Sequence, residues 1–213
     1  MLDVEKSSES RRRLRVALLA SGIIAGVTCL GGVAWAVIST DNLVPNNNYG
    51  PQCQWADVCK TDNEDVYFYM DQAGDDALEA ADDAMVNEVI DDEYRPTDLV
   101  MHYDSNPTFS GSGETDWYYQ EQTVSGDSRG RTVCNDPDWG TYKCDQHYIT
   151  IEPGYWSHGL TCHESGHAAG LLHGDKADPR VSMTDSVLGC MKTPVSTGQV
   201  LGQNQENQIN ANY

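Results

Sequence analysis

Residues 161–175 read TCHESGHAAGLLHGD, a stretch that holds three of the chain's six histidines and a glutamate within eleven positions. His163 and His167 are four residues apart, so on an α-helix they share a face, about 6 Å from each other along the axis. That spacing lets two imidazoles meet one metal ion. Glu164 follows the first histidine and lies about 100° round the helix, near enough to act as a base without being a ligand. His173, ten residues past His163, would face away if the helix ran on straight. It joins the pair only if the chain turns sharply first. Gly170 stands where that turn would fall, and glycine accepts the left-handed conformation that ends a helix. The stretch therefore predicts a helix broken at Gly170, with a third imidazole swung back toward the first two.

The segment HESGHAAGLLH (163–173) resembles the zinc-binding motif of the metzincin clan of metallopeptidases, His-Glu-x-x-His-x-x-Gly-x-x-His. Within that clan it is most similar to the matrixin-like proteins exported by actinobacteria. The resemblance implies that His163, His167 and His173 hold one catalytic Zn2+, that Glu164 is the general base, and that Gly170 is the turn residue. It implies a metzincin-like α+β fold with one small mixed twisted sheet, an N-terminal long helix, an active-site helix and a short C-terminal helix. It also implies a substrate-pairing edge strand before the active-site helix, matched by QHYITIE (146–152), and a methionine turn after it. Met183 lies ten residues past the third histidine, close to the matrixin interval; Met191 lies eighteen past it, after Cys190 and shortly before a proline. Met191 is preferred, because a Cys162–Cys190 bond would hold it under the zinc helix, and Met183 is the alternative. Thr193 is a departure: some metzincin families carry a tyrosine there that helps stabilise the oxyanion, a task left here to zinc and Glu164. Pro51-Gln52-Cys53 has a superficial likeness to the cysteine switch of matrixin propeptides, although a small Cys53–Cys59 loop accounts for the same cysteine more simply.

Working outward, the 213 residues suffice for one ordinary domain. Residues 1–15 form a basic tail carrying Lys6, Arg11, Arg12, Arg13 and Arg15, followed by an uncharged apolar run over 16–40. That run is long enough for a transmembrane anchor, and Ala34-Trp35-Ala36 could instead serve as the cleavage site of a signal peptide. Either way the basic tail stays in the cytoplasm and the rest lies outside, membrane-anchored in one pass or secreted if cleaved near Ala36. The first 40 residues contain five of the 13 basic and three of the 33 acidic residues, which leaves eight against thirty, about −22, for the exported part. Such a charge makes nucleic acid a poor partner and suits a solvated extracellular surface. It hints at basic substrates. Structural Ca2+ is a sharper reading of the carboxylate clusters Asp71, Asp75, Asp76 and Asp91, Asp92, Glu93, although neither run matches a calcium loop.

Cys29 lies in the apolar run, and the other six cysteines form an even set of the kind a disulfide framework uses in an oxidising compartment. Nearness suggests Cys53 with Cys59 and Cys134 with Cys144, leaving Cys162 for Cys190. Residues 41–50, DNLVPNNNYG, read as a polar linker, and 51–213 as an extracytoplasmic metalloprotease-like domain. Within it, 65–70, 97–103, 116–123 and 146–152 read as strands, and 75–94, with Leu78, Ala81, Met85 and Val89 at helical spacing, as an amphipathic helix. His102, His147 and His158 stand apart and read as ordinary strand or loop residues, with His158 a candidate substrate contact. The expected activity is hydrolysis of peptide bonds by a monomeric zinc endopeptidase, with an extended substrate bound along Tyr148–Ile151. A zinc amidase acting on cell-envelope material, or a non-catalytic zinc-containing binding module of the envelope, are the competing expectations.

Overall fold

Alternation of buried and exposed side chains sets the sheet. In Asp65–Met70 (β2) the residues Val66, Phe68 and Met70 point inward while Asp65 and Tyr67 are exposed, the period of two that a half-buried strand requires. The computed structural model describes residues 39–213 except 51, 55, 56 and 112. Its other strands are Lys60–Thr61 (β1), Val100–Tyr103 (β3), Trp117–Glu121 (β4), Gly130–Pro137 (β5) and Lys143–Ile151 (β6). β2 pairs in parallel with β3 and with β4, β4 and β1 pair in parallel with β6, and β5 runs antiparallel to β6. The fold is thus mixed α/β, a mostly parallel sheet with few helices: Ala80–Val89 (α1), His158–Ala168 (α2) and Gln203–Asn212 (α3).

One buried cluster joins sheet and helices. Phe68, Trp117 and Tyr119 from the sheet meet Val86, Ile90 and Tyr94 from the α1 region and Cys162 and Leu171 from the α2 region. Each large apolar side chain removed from water in this way contributes about 1.5–3 kcal/mol. Two tyrosines tie the layers by their hydroxyls. Tyr94 Oη donates to Cys162 O at 2.7 Å, and Tyr119 Oη lies 2.8 Å from Ser165 Oγ. Both hydroxyls are fully buried, so these bonds remove the penalty that an unpaired polar group would carry there.

Several sequence expectations need correction. No single long helix spans 75–94. A 3₁₀ turn covers Gly74–Asp76, Ala77 is extended, and α1 begins at Ala80; it then continues as a π-turn over Ile90–Tyr94, closed by Arg95 N–H on Ile90 O at 2.9 Å. The start is delayed because Leu78, buried, donates its N–H to Asp71 O at 2.9 Å. The strand expected at the sheet edge, 146–152, lies inside the sheet, since β6 is paired on one side by β4 and on the other by β5. On this side of the sheet β5 is an edge strand, and β3 forms the opposite edge.

Residues 41–50 are also not a linker. Asp41 and Asp178 exchange backbone hydrogen bonds at 2.8 and 2.7 Å, Leu172 N donates to Asn42 O at 2.7 Å, and Val44 N donates to Gly170 O at 3.0 Å. Leu43 and Val44 are buried. The asparagines that suggested a flexible chain make turns instead: Asn46 Oδ1 accepts from Asn48 N and Tyr49 N at 2.8 and 2.9 Å. The basic tail and the apolar run up to residue 38 lie outside the described residues. Among the described residues, no helix is long and apolar enough to cross a membrane.

Candidate metal centre

Helix α2 begins at Ser157, whose hydroxyl caps it by accepting from Leu160 N. It carries His163 and His167 on one face and ends at Ala168. Gly170 then takes φ 91°. A β-carbon there would stand 2.6 Å from Lys60 Cβ, so both conformation and space require glycine. The turn returns Leu171 O to His167 Nδ1 at 2.8 Å and carries His173 to the other two imidazoles. His173 Nε2 lies 3.0 Å from His163 Nε2 and 3.2 Å from His167 Nε2.

The donor set fits a cation. Cys190 O faces His163 Nδ1 at 2.7 Å and Leu171 O faces His167 Nδ1. A carbonyl can only accept, so both Nδ1 atoms carry the proton and both Nε2 lone pairs point inward. A single proton on His173 Nε2 could serve one of them, whereas a metal ion satisfies all three nitrogens. Tetrahedral zinc, with bonds of about 2.0–2.1 Å, holds its nitrogens roughly 3.3 Å apart. Burial, ahead of every other cause, lowers the pKa of each imidazole: His163 falls to about 4, with the charge of His173 adding to the effect, His167 falls well below the usual value, and His173 also falls. The neutral imidazole is the ligand form.

Behind the helix, the disulfide Cys162–Cys190 joins α2 to Cys190 and Met191. Met191 is fully buried, and its Sδ occupies the place where a side chain at Gly166 would begin. Met183 is half-buried and its carbonyl accepts from Thr193 N at 2.9 Å. Disulfides also join Cys53 to Cys59 and Cys134 to Cys144. Cys53 is therefore bonded to a second cysteine, with no thiolate to offer the histidines.

Glu164 lines the same cleft and is not part of the converging group. Its carboxyl is buried against β5, and burial raises its pKa to about 7 despite a hydrogen bond from Thr132. The cleft encloses about 680 Å³ between β5, Tyr155 and Leu160 of the α2 region, and Thr193–Val195. Gly130 and Thr132 escape the sequence reading, because SGDSRGR (125–131), which contains Gly130, reads as a loop and the residues after it carry no strand assignment; the alternation Gly130, Thr132, Cys134 is the available signal.

The three other histidines lie away from the site, as read for His102 and His147 and against the substrate contact considered for His158. His158 does not line the cleft: its Nε2 lies 3.4 Å from Glu93 Oε1 and its Nδ1 3.3 Å from Gln199 O. His102 pairs with Asp65 at 3.0 Å, and His147 is buried with Nε2 on Cys59 O. Neither carboxylate triplet considered for calcium converges. Asp71 accepts from Tyr118 Oη and Ala73 N, Asp91 pairs with Arg95, and Glu93 accepts from Leu201 N. Set against known proteins, the chain matches no protein-family model and no curated protein.

Proposed function

We propose that this chain is a zinc-dependent endopeptidase of the metzincin, matrixin-like kind. The observation that carries the reading is the convergence of three Nε2 atoms, those of His163 and His167 lying 3.0 and 3.2 Å from that of His173 and both held unprotonated by carbonyls that take up the Nδ1 protons. His163, His167 and His173 would hold the ion, a three-nitrogen set that leaves a position open, as catalytic sites do. When bound, zinc supplies Lewis acidity that polarises a carbonyl and lowers the pKa of a water.

Glu164 is the proton carrier. Its carboxyl, poised near neutrality by burial, takes a proton from the attacking water and returns it to the leaving amine. The free edge of β5 supports binding of an extended peptide by strand addition, with Thr193–Val195 as the facing wall. Three disulfides suit an oxidising, extracytoplasmic compartment.

The test is Glu164→Gln in full-length protein, with zinc quantified and a peptide library set against cell-wall fragments as substrates. The endopeptidase should cleave peptides, and the variant should lose at least about 100-fold in kcat while keeping its zinc. Cleavage of cell-wall fragments alone would make it an amidase. No hydrolysis by either protein would make it a zinc-containing binding module.

A further inference from the structure

Glu164 sits in a seat that belongs to β5, not to its own helix. Thr132 Oγ1 lies 2.7 Å from Glu164 O and 2.9 Å from Glu164 Oε2, close enough to donate to either. Two residues earlier on the same face of the strand, Gly130 leaves room for the carboxyl: a β-carbon there would stand 2.5 Å from Glu164 Oε1 and 2.8 Å from its Cγ. The three heavy atoms nearest to such a carbon all belong to Glu164. Gly130 has no positive φ, so its backbone does not require glycine; the carboxyl does. Gly130 and Thr132 pair with Ile151 and Ile149 of β6, so the seat is fixed by the sheet rather than by a free loop.

We propose that Gly130 and Thr132 are positioning residues for the proton-carrying glutamate, a hydroxyl latch and a vacant Cβ position that hold the Glu164 carboxyl against the strand beside which the substrate lies. This rests on the endopeptidase reading. The peptide that pairs with β5 would then dock on the strand that orients the base, so substrate and carboxyl share one frame. A carboxyl without the latch has rotamers that turn it away from the cleft, and misplacement of a proton carrier by about 1 Å is enough to lower the rate sharply.

The test compares Thr132→Val, which keeps shape and removes the hydroxyl, with Thr132→Ser, which restores it, and with Gly130→Ala. Full-length proteins are assayed for kcat and KM on the peptide the wild type cleaves, for zinc content, and by crystallography for the Glu164 side chain. Thr132→Val and Gly130→Ala should lower kcat about 10- to 100-fold with KM and zinc content near the wild-type values, and Thr132→Ser should recover most of the loss. In the crystals, the carboxyl should keep its place in wild type and Thr132→Ser and move in the other two. An unchanged kcat or an unmoved carboxyl in Thr132→Val overturns the latch, as does equal loss in Thr132→Ser. Absence of peptide hydrolysis in the wild type overturns the endopeptidase reading instead, and the crystals alone then decide whether residue 132 holds the carboxyl. Should Gly130→Ala fail to fold, the Thr132 pair carries the decision.

Discussion

In the cleft beside β5 the protein gathers three imidazoles, that of His163 buried and those of His167 and His173 half-buried, and at the amino-terminal end of β4 it buries a carboxyl, Asp116. The same physical cause, loss of hydration, acts at both places with opposite chemical results. At the histidines it removes the proton and leaves bases whose lone pairs converge. At Asp116 it keeps the proton on, raising the pKa to about 8, with the neighbouring charge of Asp62 adding to burial. Glu114 and Asp145 are raised too, each by burial and then by surrounding carboxylates. The first place is suited to a cation; the second keeps a negative charge low by holding a proton.

Breaking the first member of this comparison has the largest expected effect. His167→Ala removes one of the three proposed ligands and should abolish metal binding at stoichiometric zinc and hydrolysis with it. Without metal, two inward lone pairs remain and the imidazoles no longer tie the turn to the helix, so the variant should also melt below the zinc-loaded wild type. Ligand linkage sets the scale: zinc at a thousand times its Kd stabilises the folded state by about 4 kcal/mol. Calorimetry of wild type with zinc, wild type with chelator, and His167→Ala checks this. If chelator and variant leave the melting temperature where zinc puts it, the trio does not hold a metal.

A smaller effect follows from cutting the staple behind the trio. Cys162 and Cys190 close a loop across 28 residues. In the chain-entropy account this is worth about 3–4 kcal/mol. The double change to serine should lower stability by that amount in denaturant titrations. It should also weaken zinc affinity, because Cys190 O is the acceptor that fixes the His163 tautomer. Removing Cys134–Cys144, which spans ten residues on the β5–β6 hairpin, should cost less and leave zinc affinity unchanged.

What was legible in the sequence divides along the same line. The trio could be read because its geometry is local: four residues on a helix, then a glycine, admit one arrangement. Glu164's setting is harder to read, since Gly130 and Thr132 come from a distant strand that opens in a turn-rich stretch and whose pairing shifts register just past Cys134. The parallel order of the sheet was hidden for a related reason, because each strand announces its faces and not its neighbours. Residues 41–50 misled by composition: asparagine and proline mark turns, and a turn pinned by Asp178 and Gly170 reads like a flexible one.

Asp116 offers the most delicate way to sharpen the comparison. Its folded pKa lies near 8 against a usual value of 3.8, so the folded state binds the proton more tightly than the unfolded chain. The stability this contributes is fully present below about pH 4 and is lost as the pH rises through about 8. Asp116→Asn removes the titration while keeping an oxygen to accept from Tyr67 N, which Asp116 Oδ2 does at 2.7 Å. The variant should flatten the fall in stability across that window and, at pH 9, exceed wild type by an amount on the order of 1–4 kcal/mol. Urea titrations of both proteins from pH 4 to 9 measure it. Parallel curves would mean that Asp116 ionises freely in the fold, and the contrast with the histidines would then rest on hydrogen bonding rather than on burial.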